Sequence, residues 1–384
     1  MSDSGFPGAP ASLPRVVLLR GYSANPWDLR PWRLLQDRFD VSCLVPGANE
    51  FDAGAIGLPV VEVRATRDRL PGGRATRALS YAVGDRYFGL EELLGGAAIV
   101  HSADLATWFS AQAAGLKERL GFRLALTVWE TIPYLATYRW PRERAWRARS
   151  LAATDLFIAA SERARTCLLL EGVAPERIVV SYPGIDSEHF APSPTRPPVE
   201  PGLVLSPGRL VWEKGHQDVI RAVAALRTGI VPGAPEVRLL VLGSGPEGEK
   251  LRRYADELGV GSAVEIRGGV AYDDMPDVYA RASCMVLASL ARKNWEEQFG
   301  MVLAEALAAG VPTVASSSGA IPEVVGDSAG AFVPGDWLAI ARGIAEVMAQ
   351  PASREVRDPV RVETYSSAAA AERIASAYQS LLAQ

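Results

Sequence analysis

Residues 284–316 read CMVLASLARKNWEEQFGMVLAEALAAGVPTVAS. An apolar run, 284–289, is followed by a polar loop to Phe299 and Gly300, and then by a run of Met, Val, Leu and Ala reaching about Ala309. Gly310 is placed to serve as a helix C′ residue, Pro312 stands just beyond it, and residues 312–316 form a second short apolar run. The pattern predicts strand, loop, helix, turn and strand, which is a βαβ unit with two parallel strands. One residue breaks it. Glu305 lies inside an otherwise apolar helix, where an unpaired carboxylate costs several kcal/mol, so it must meet hydrogen-bond donors. Ligand hydroxyls and a core arginine both answer that need. Glu297 stands just before the Phe299-Gly300 entry, where the amides of Phe299, Gly300 and Met301 have no partners inside the helix and favour an anion.

The same alternation runs through the chain. In the first half the strand candidates are 15–19, 40–46, 97–101, 124–129, 155–161 and 178–184, and in the second 203–208, 237–243, 263–268, 284–289, 312–316 and 329–333. They are near-continuous Val, Ile, Leu and Ala runs, as parallel strands covered on both faces require. Helical stretches fall between them, so the fold class is α/β with doubly wound sheets. A length of 384 residues exceeds one ordinary core. Five prolines between 192 and 201 cannot continue a helix or a central strand. The expected organisation is a disordered leader at 1–14, a first domain at 15–190, a linker at 191–202, a second domain at 203–365, and a C-terminal helix at 366–384 packing back on the first.

Bulk properties exclude several classes. A net charge of -4 argues against nucleic acid held by general electrostatics. Cys43, Cys167 and Cys284 are scattered and show no CxxC spacing, which suits a reducing compartment and small core residues. The N-terminal residues lack the apolar core of a signal peptide, and no uncharged apolar run reaches about 18 residues. A cytoplasmic protein is expected.

Two further motifs bear on chemistry. In SPGRLVWEKGHQDVIRA, residues 206–222, Arg209 and Lys214 flank a short loop after a strand. Two cations there suit a diphosphate, although a pair of solvated charges is the ordinary alternative. In VLGSGP, Gly243 and Gly245 suit either a phosphate or a tight strand-to-helix turn.

Taken in order, GRLxxxKG, LGSGP, GGVAYDDMPDVYARAS, EQFGMVLAEALAAGVPTVAS and SGAIPEVVGD resemble the C-terminal domain of retaining GT-B glycosyltransferases of family 4, with Glu297 and Glu305 matching the family's E-x7-E motif. The resemblance extends over residues 97–384. It implies two Rossmann-like doubly wound domains facing across a cleft, and a donor that is a nucleoside diphosphate sugar, with uridine the commonest nucleoside. It implies that Arg209 and Lys214 hold the diphosphate and stabilise the leaving group, and that Glu297 faces the transferred sugar. Glu305 would take the ribose hydroxyls, Val270 would meet the base through its backbone, and the amides of Phe299, Gly300 and Met301 would cradle sugar and phosphate. No cofactor or metal is implied, and no Asp-x-Asp sequence is present.

On the acceptor side the candidates are Gly21, His101 and Glu130. Gly21 is all that remains of the family's glycine-rich loop. His101 ends a strand and has a structural alternative, while Glu130 is an acceptor partner or a cap for the following segment. Arg139, Trp140, Arg142 and Trp146 form a basic aromatic stretch that reads either as a solvated helix face or as peripheral contact with the inner membrane face. A sugar, lipid-linked or small-molecule acceptor in envelope glycan or secondary-metabolite biosynthesis fits. A nucleotide-sugar epimerase and an inactive nucleotide-sugar-binding subunit are the competing readings.

Overall fold

The computed structural model describes residues 13–69, 84–135, 140–232, 236–326, 331–350 and 358–384. Most of the 1–14 leader, residues 329–330 of the last strand candidate, and Arg139 lie outside them.

Two sheets form. The first contains β1 (Arg15–Leu19), β2 (Asp40–Pro46), β3 (Val60–Val63), β4 (Ile99–Ala103), β5 (Arg123–Val128), β6 (Leu156–Ala159) and β7 (Ile178–Val180), in the order β3-β2-β1-β4-β5-β6-β7. The second contains β8 (Leu203–Pro207), β9 (Arg238–Leu242), β10 (Val264–Arg267), β11 (Cys284–Leu287), β12 (Thr313–Ser316) and β13 (Ala331–Phe332), in the order β10-β9-β8-β11-β12-β13. Every pair in the second sheet is parallel. The order 3-2-1-4-5-6 in both is that of the Rossmann fold, with ligands expected beyond the strand C-termini. β3 is absent from the expected strands. It is short, it lies at the sheet edge, and Val61 and Glu62 are exposed, so it has no buried apolar run.

Strand alternation builds two core layers in the second sheet. Leu205, Leu240, Leu242, Met285 and Leu287 pack on one face with Leu303, Ala304 and Tyr279. Val204, Leu239, Val241, Cys284 and Val286 pack on the other with Val219, Ile220, Val223, Ile340 and Ile344. Burial of each large aliphatic side chain contributes about 1.5–3 kcal/mol.

The chain divides into two compact units, one of Met1–Val128, Thr137–Ile158 and Ala371–Gln384, the other of Trp129–Ala136 and Ala159–Ala370. The proline-rich stretch is therefore inside the second unit, not between the two. Its polar residues explain this. Arg196 donates to Asp277 at 2.9 Å and to the His189 carbonyl at 2.8 Å, and Glu200 receives Arg238 at 3.0 Å. In the first unit, residues 371–382 of the C-terminal helix Ser367–Leu382 bring Tyr378 against Phe39 and Trp32.

Candidate active site

The loop after β8 is shaped by its neighbours. Gly215 has φ +73 and caps the helix His216–Arg227, and a Cβ there would lie 1.9 Å from the Ala288 carbonyl oxygen. Gly243, at φ +153, would meet the Gly208 carbonyl oxygen at 1.9 Å. The LGSGP motif is thus a backbone-on-backbone contact that holds the GRL loop, and Leu210 N–H donates to the Ser244 carbonyl at 2.9 Å.

On this loop Lys214 meets Glu297. The ammonium donates to Oε1 at 3.0 Å and to Oε2 at 2.7 Å, with side chains 14% and 10% exposed. Ser289 Oγ donates to Oε2 at 2.6 Å. The Glu297 amide donates to Ser318 Oγ at 3.3 Å, and its carbonyl accepts from Ala320 at 2.9 Å. Trp295 lies under the ammonium, with its ring centroid 5.3 Å from Nζ. Arg209 is exposed and makes no ion pair with the described residues.

The helix Met301–Ala308 begins at Gly300, with φ +87. The amides of Phe299, Gly300 and Met301 donate to none of the described residues. Glu305 is buried, and its partner is Tyr279, whose hydroxyl donates to Oε2 at 2.8 Å. Among the described residues no arginine pairs with it. Burial pushes its carboxyl up to about 7, against the opposing hydrogen bond from Tyr279. The Phe299 side chain is core, 5.3 Å from the Tyr365 ring, while Val270 and Met301 are half-buried against the same apolar layer.

Sequence reasoning missed two groups here. Glu296, adjacent to Glu297, is buried and receives both Nε and Nη2 of Arg163, the latter at 2.8 Å. Arg163 belongs to the helix Glu162–Leu170, whose first amide donates to Glu323 at 2.6 Å. His216 is the other. Its Nδ1 lies 2.8 Å from Ser206 Oγ and its Nε2 3.1 Å from the Arg209 carbonyl. Glu296 beside Glu297 in WEEQ was a visible signal, since one of two consecutive carboxylates must turn to a different partner.

The acceptor-side candidates take structural places. His101 is fully buried, with Nε2 2.7 Å from Thr127 Oγ1 and Nδ1 hydrogen-bonded to the Tyr378 hydroxyl. Both ring nitrogens are used, and burial, aided by the Arg20 charge, pushes its pKa well down. It is a core histidine, and the acceptor role expected for it does not fit. Arg20, also buried, donates to the His101 carbonyl at 2.9 Å. At Gly21 a Cβ would lie 2.6 Å from Phe109, so this glycine permits close packing of a loop on a helix. Glu130 accepts from the amides of Thr131 and Ile132 at 2.9 and 2.8 Å, which makes it a cap. Trp140 is exposed at the N-cap of the helix Pro141–Ala153, with Arg142 and Trp146 half-buried along it. No helix among the described residues is long and apolar enough to cross a membrane. Among those residues no cluster of three or more His, Cys, Asp or Glu is placed to hold a metal.

A seven-stranded and a six-stranded sheet of Rossmann order, the second with a Lys-Glu pair at its strand ends, are the two halves of a GT-B fold. The family model for glycosyl transferases group 1 matches residues 188–359, and that for glycosyltransferase family 4 matches residues 32–189. The chain belongs to the GT-B glycosyltransferases of family 4. It is 35% identical over 181 residues to a GDP-mannose-dependent alpha-(1-6)-phosphatidylinositol monomannoside mannosyltransferase of Mycolicibacterium smegmatis, covering 44% of this chain and 46% of that one. It is 32% identical over 188 residues to the D-inositol 3-phosphate glycosyltransferase of Mycobacterium tuberculosis, covering 46% of this chain and 36% of that one. The chain thus spans less than half the length of these curated relatives. The solved structure of Anabaena Alr3699/HepE in complex with UDP shares the fold, with TM-score 0.75 and 18% identity over 95% of this chain and 99% of that one.

Proposed function

We propose that the protein transfers a sugar from a nucleoside diphosphate sugar to a hydroxyl acceptor, with retention of anomeric configuration and without a metal ion. The observation that carries this reading is the Lys214–Glu297 ion pair, set between the ends of β8 and β11 on the loop that leads to the amides of Phe299, Gly300 and Met301, which donate to none of the described residues. A lysine and an exposed arginine place two positive charges where a diphosphate would arrive, and a buried carboxylate stands beside them to accept sugar hydroxyls.

In this reading Arg209 and Lys214 bind the two phosphates. As the bond from the anomeric carbon to the diphosphate oxygen breaks, the pair of electrons stays on that oxygen, and the two cations stabilise the charge. The acceptor oxygen bonds to the same face of the sugar, and its proton passes to the departing phosphate. Glu297 orients the transferred sugar, the helix amides hold sugar and phosphate, and Val270 borders the base. Glu305 accepts from the ribose diol, which would supply the charge-stabilising donors that one tyrosine hydroxyl does not complete.

A UDP-sugar is the favoured donor. The name of the mycobacterial mannosyltransferase carries GDP, and the solved neighbour binds UDP, so the base is a variable of the test. Acceptors in envelope glycan or secondary-metabolite biosynthesis suit the reading. Incubating the protein with UDP- and GDP-sugars, and following nucleoside diphosphate release with and without candidate hydroxyl acceptors, tests it. Acceptor-dependent release in EDTA is expected. Interconversion of the donor without an acceptor would favour an epimerase, and binding without either reaction an inactive subunit.

A further inference from the structure

The imidazole of His216, buried beside Lys214, takes no part in the proposed reaction. His216 is 1% exposed at the start of the helix His216–Arg227, directly after Lys214 and Gly215. A carbonyl oxygen can only accept, so the 3.1 Å contact to Arg209 fixes the proton on Nε2. Nδ1 is then bare and accepts from Ser206 Oγ at 2.8 Å. Ser206 is buried in β8, so the relay runs from the sheet, through the imidazole, to the carbonyl of an arginine whose own side chain is exposed. Burial pushes His216 down to about 4, and the nearby Lys214 charge acts in the same direction, so the ring stays neutral and keeps this tautomer at physiological pH.

The loop it grips is also anchored on either side of Arg209, at Gly208 to the Leu242 carbonyl at 2.9 Å, at Leu210 to the Ser244 carbonyl at 2.9 Å, and at the Glu213 carbonyl from Leu290 at 2.8 Å, while at Arg209 itself the hold is His216 and a local turn. The Arg209 carbonyl also accepts from the Val211 amide at 2.9 Å, and Lys214 N–H donates to the Val211 carbonyl at 3.1 Å. The conformation that presents Arg209 is therefore transmitted to Lys214 through one short turn. The Arg209 guanidinium makes no ion pair with the described residues that would hold it from its far end.

We propose that His216 is a positioning residue: with Ser206 it holds the Arg209 carbonyl, and thereby sets Arg209 and Lys214 to receive the diphosphate end of the donor. The assignment rests on the nucleotide-sugar reading above. It separates His216 from a residue that only stabilises the unit, because a positioning role acts on the phosphate end of the ligand and not on the nucleoside end.

The test is calorimetric binding of UDP, GDP and the nucleosides uridine and guanosine to wild type, His216→Ala and His216→Gln. His216→Ala is expected to lose about tenfold in affinity for the nucleoside diphosphate, the effect of one lost hydrogen bond, while nucleoside affinity changes less than twofold. His216→Gln, whose amide N–H replaces the Nε2 donor, is expected to recover most of the diphosphate affinity. Should His216→Ala fail to fold, Ser206→Ala removes only the outer link and is expected to show a smaller loss of the same selectivity. An equal loss for diphosphate and nucleoside, or no loss at all, overturns the assignment. Wild-type protein that binds none of the four ligands overturns the nucleotide-sugar reading itself, and the assignment with it.

Discussion

Lys214 donates to both carboxylate oxygens of Glu297, at 3.0 and 2.7 Å, so the two groups that the family pattern sends to different parts of the donor are joined in one ion pair. The pair keeps both charges compensated in a nearly buried place, and in the proposed reading a diphosphate would compete with Glu297 for the ammonium. Ser289 gives Glu297 a second donor at 2.6 Å, which would hold the carboxylate if the lysine turned to a phosphate.

Replacing Lys214 by Ala leaves the nearly buried Glu297 carboxylate without its cation and supported chiefly by Ser289. Breaking such a pair from one side is expected to destabilise the protein by about 2–4 kcal/mol in denaturant unfolding. Donor turnover is expected to fall by about 10²- to 10³-fold, the effect of losing one charge-stabilising group. Adding Glu297→Gln to Lys214→Ala removes the stranded charge, so the double variant is expected to regain stability over Lys214→Ala but not activity. A double variant no more stable than Lys214→Ala would contradict the pairing.

Glu305 makes stability depend on pH with a definite sign. Its folded pKa, about 7, lies above the ordinary 4.5, so between these values the folded protein binds more protons than the unfolded chain. The contribution of the neutral carboxyl is fully present below about 4.5 and is lost as pH rises through 7. Glu305→Gln removes this dependence, and at pH 8 it is expected to stabilise the ligand-free protein by about 3 kcal/mol at most. If the ribose diol binds the carboxylate, donor binding below pH 7 releases a proton. Calorimetry in buffers of different ionisation enthalpy reads that proton directly, and its absence would count against the contact.

Arg163 and Glu296 join the helix Glu162–Leu170 to the WEEQ loop by a two-pronged contact. Arg163→Ala leaves a buried carboxylate next to Glu297 and is expected to cost about 2–4 kcal/mol. Lysine cannot reproduce the fork, so Arg163→Lys is expected to recover less than half. Thermal unfolding of the two variants gives the comparison.

Tyr378 accepts from Trp32 Nε1 at 2.9 Å and bonds to His101 Nδ1. Tyr378→Phe strands both groups in the core and is expected to cost about 1–3 kcal/mol. Because His101 has no exposed surface, neither this variant nor His101→Gln should alter the KM for an acceptor in protein that remains folded. A raised acceptor KM at unchanged donor KM would restore an acceptor role to His101.

The second sheet was legible because its strands are continuous apolar runs bounded by glycine and proline, and the βαβ unit at 284–316 carries every punctuation mark of its class. β3 was not, since an edge strand with Val61 and Glu62 exposed has no apolar run to detect. Lys214, Glu297 and Glu305 could be singled out because a charge inside an apolar helix or at a glycine turn demands a partner. Which partner it finds is a matter of distant residues. Tyr279 lies 26 positions from Glu305, Arg163 lies 133 from Glu296, and Tyr378 lies 277 from His101. No periodicity encodes those distances. The proline-rich stretch misled for the same reason, because Asp277 and Arg238, which fasten it into the second unit, lie far along the chain.

The central claim is that the second unit binds a nucleoside diphosphate through Lys214 and its neighbours. A thermal-shift titration with UDP, GDP, ADP and dTDP, each in EDTA and then with Mg²⁺, addresses it most directly, since a ligand of the folded state raises Tm by mass action. The account predicts that one nucleotide raises Tm equally in EDTA and Mg²⁺, and that Lys214→Ala abolishes most of the rise. No rise with any of the four, or an undiminished rise in Lys214→Ala, would contradict it.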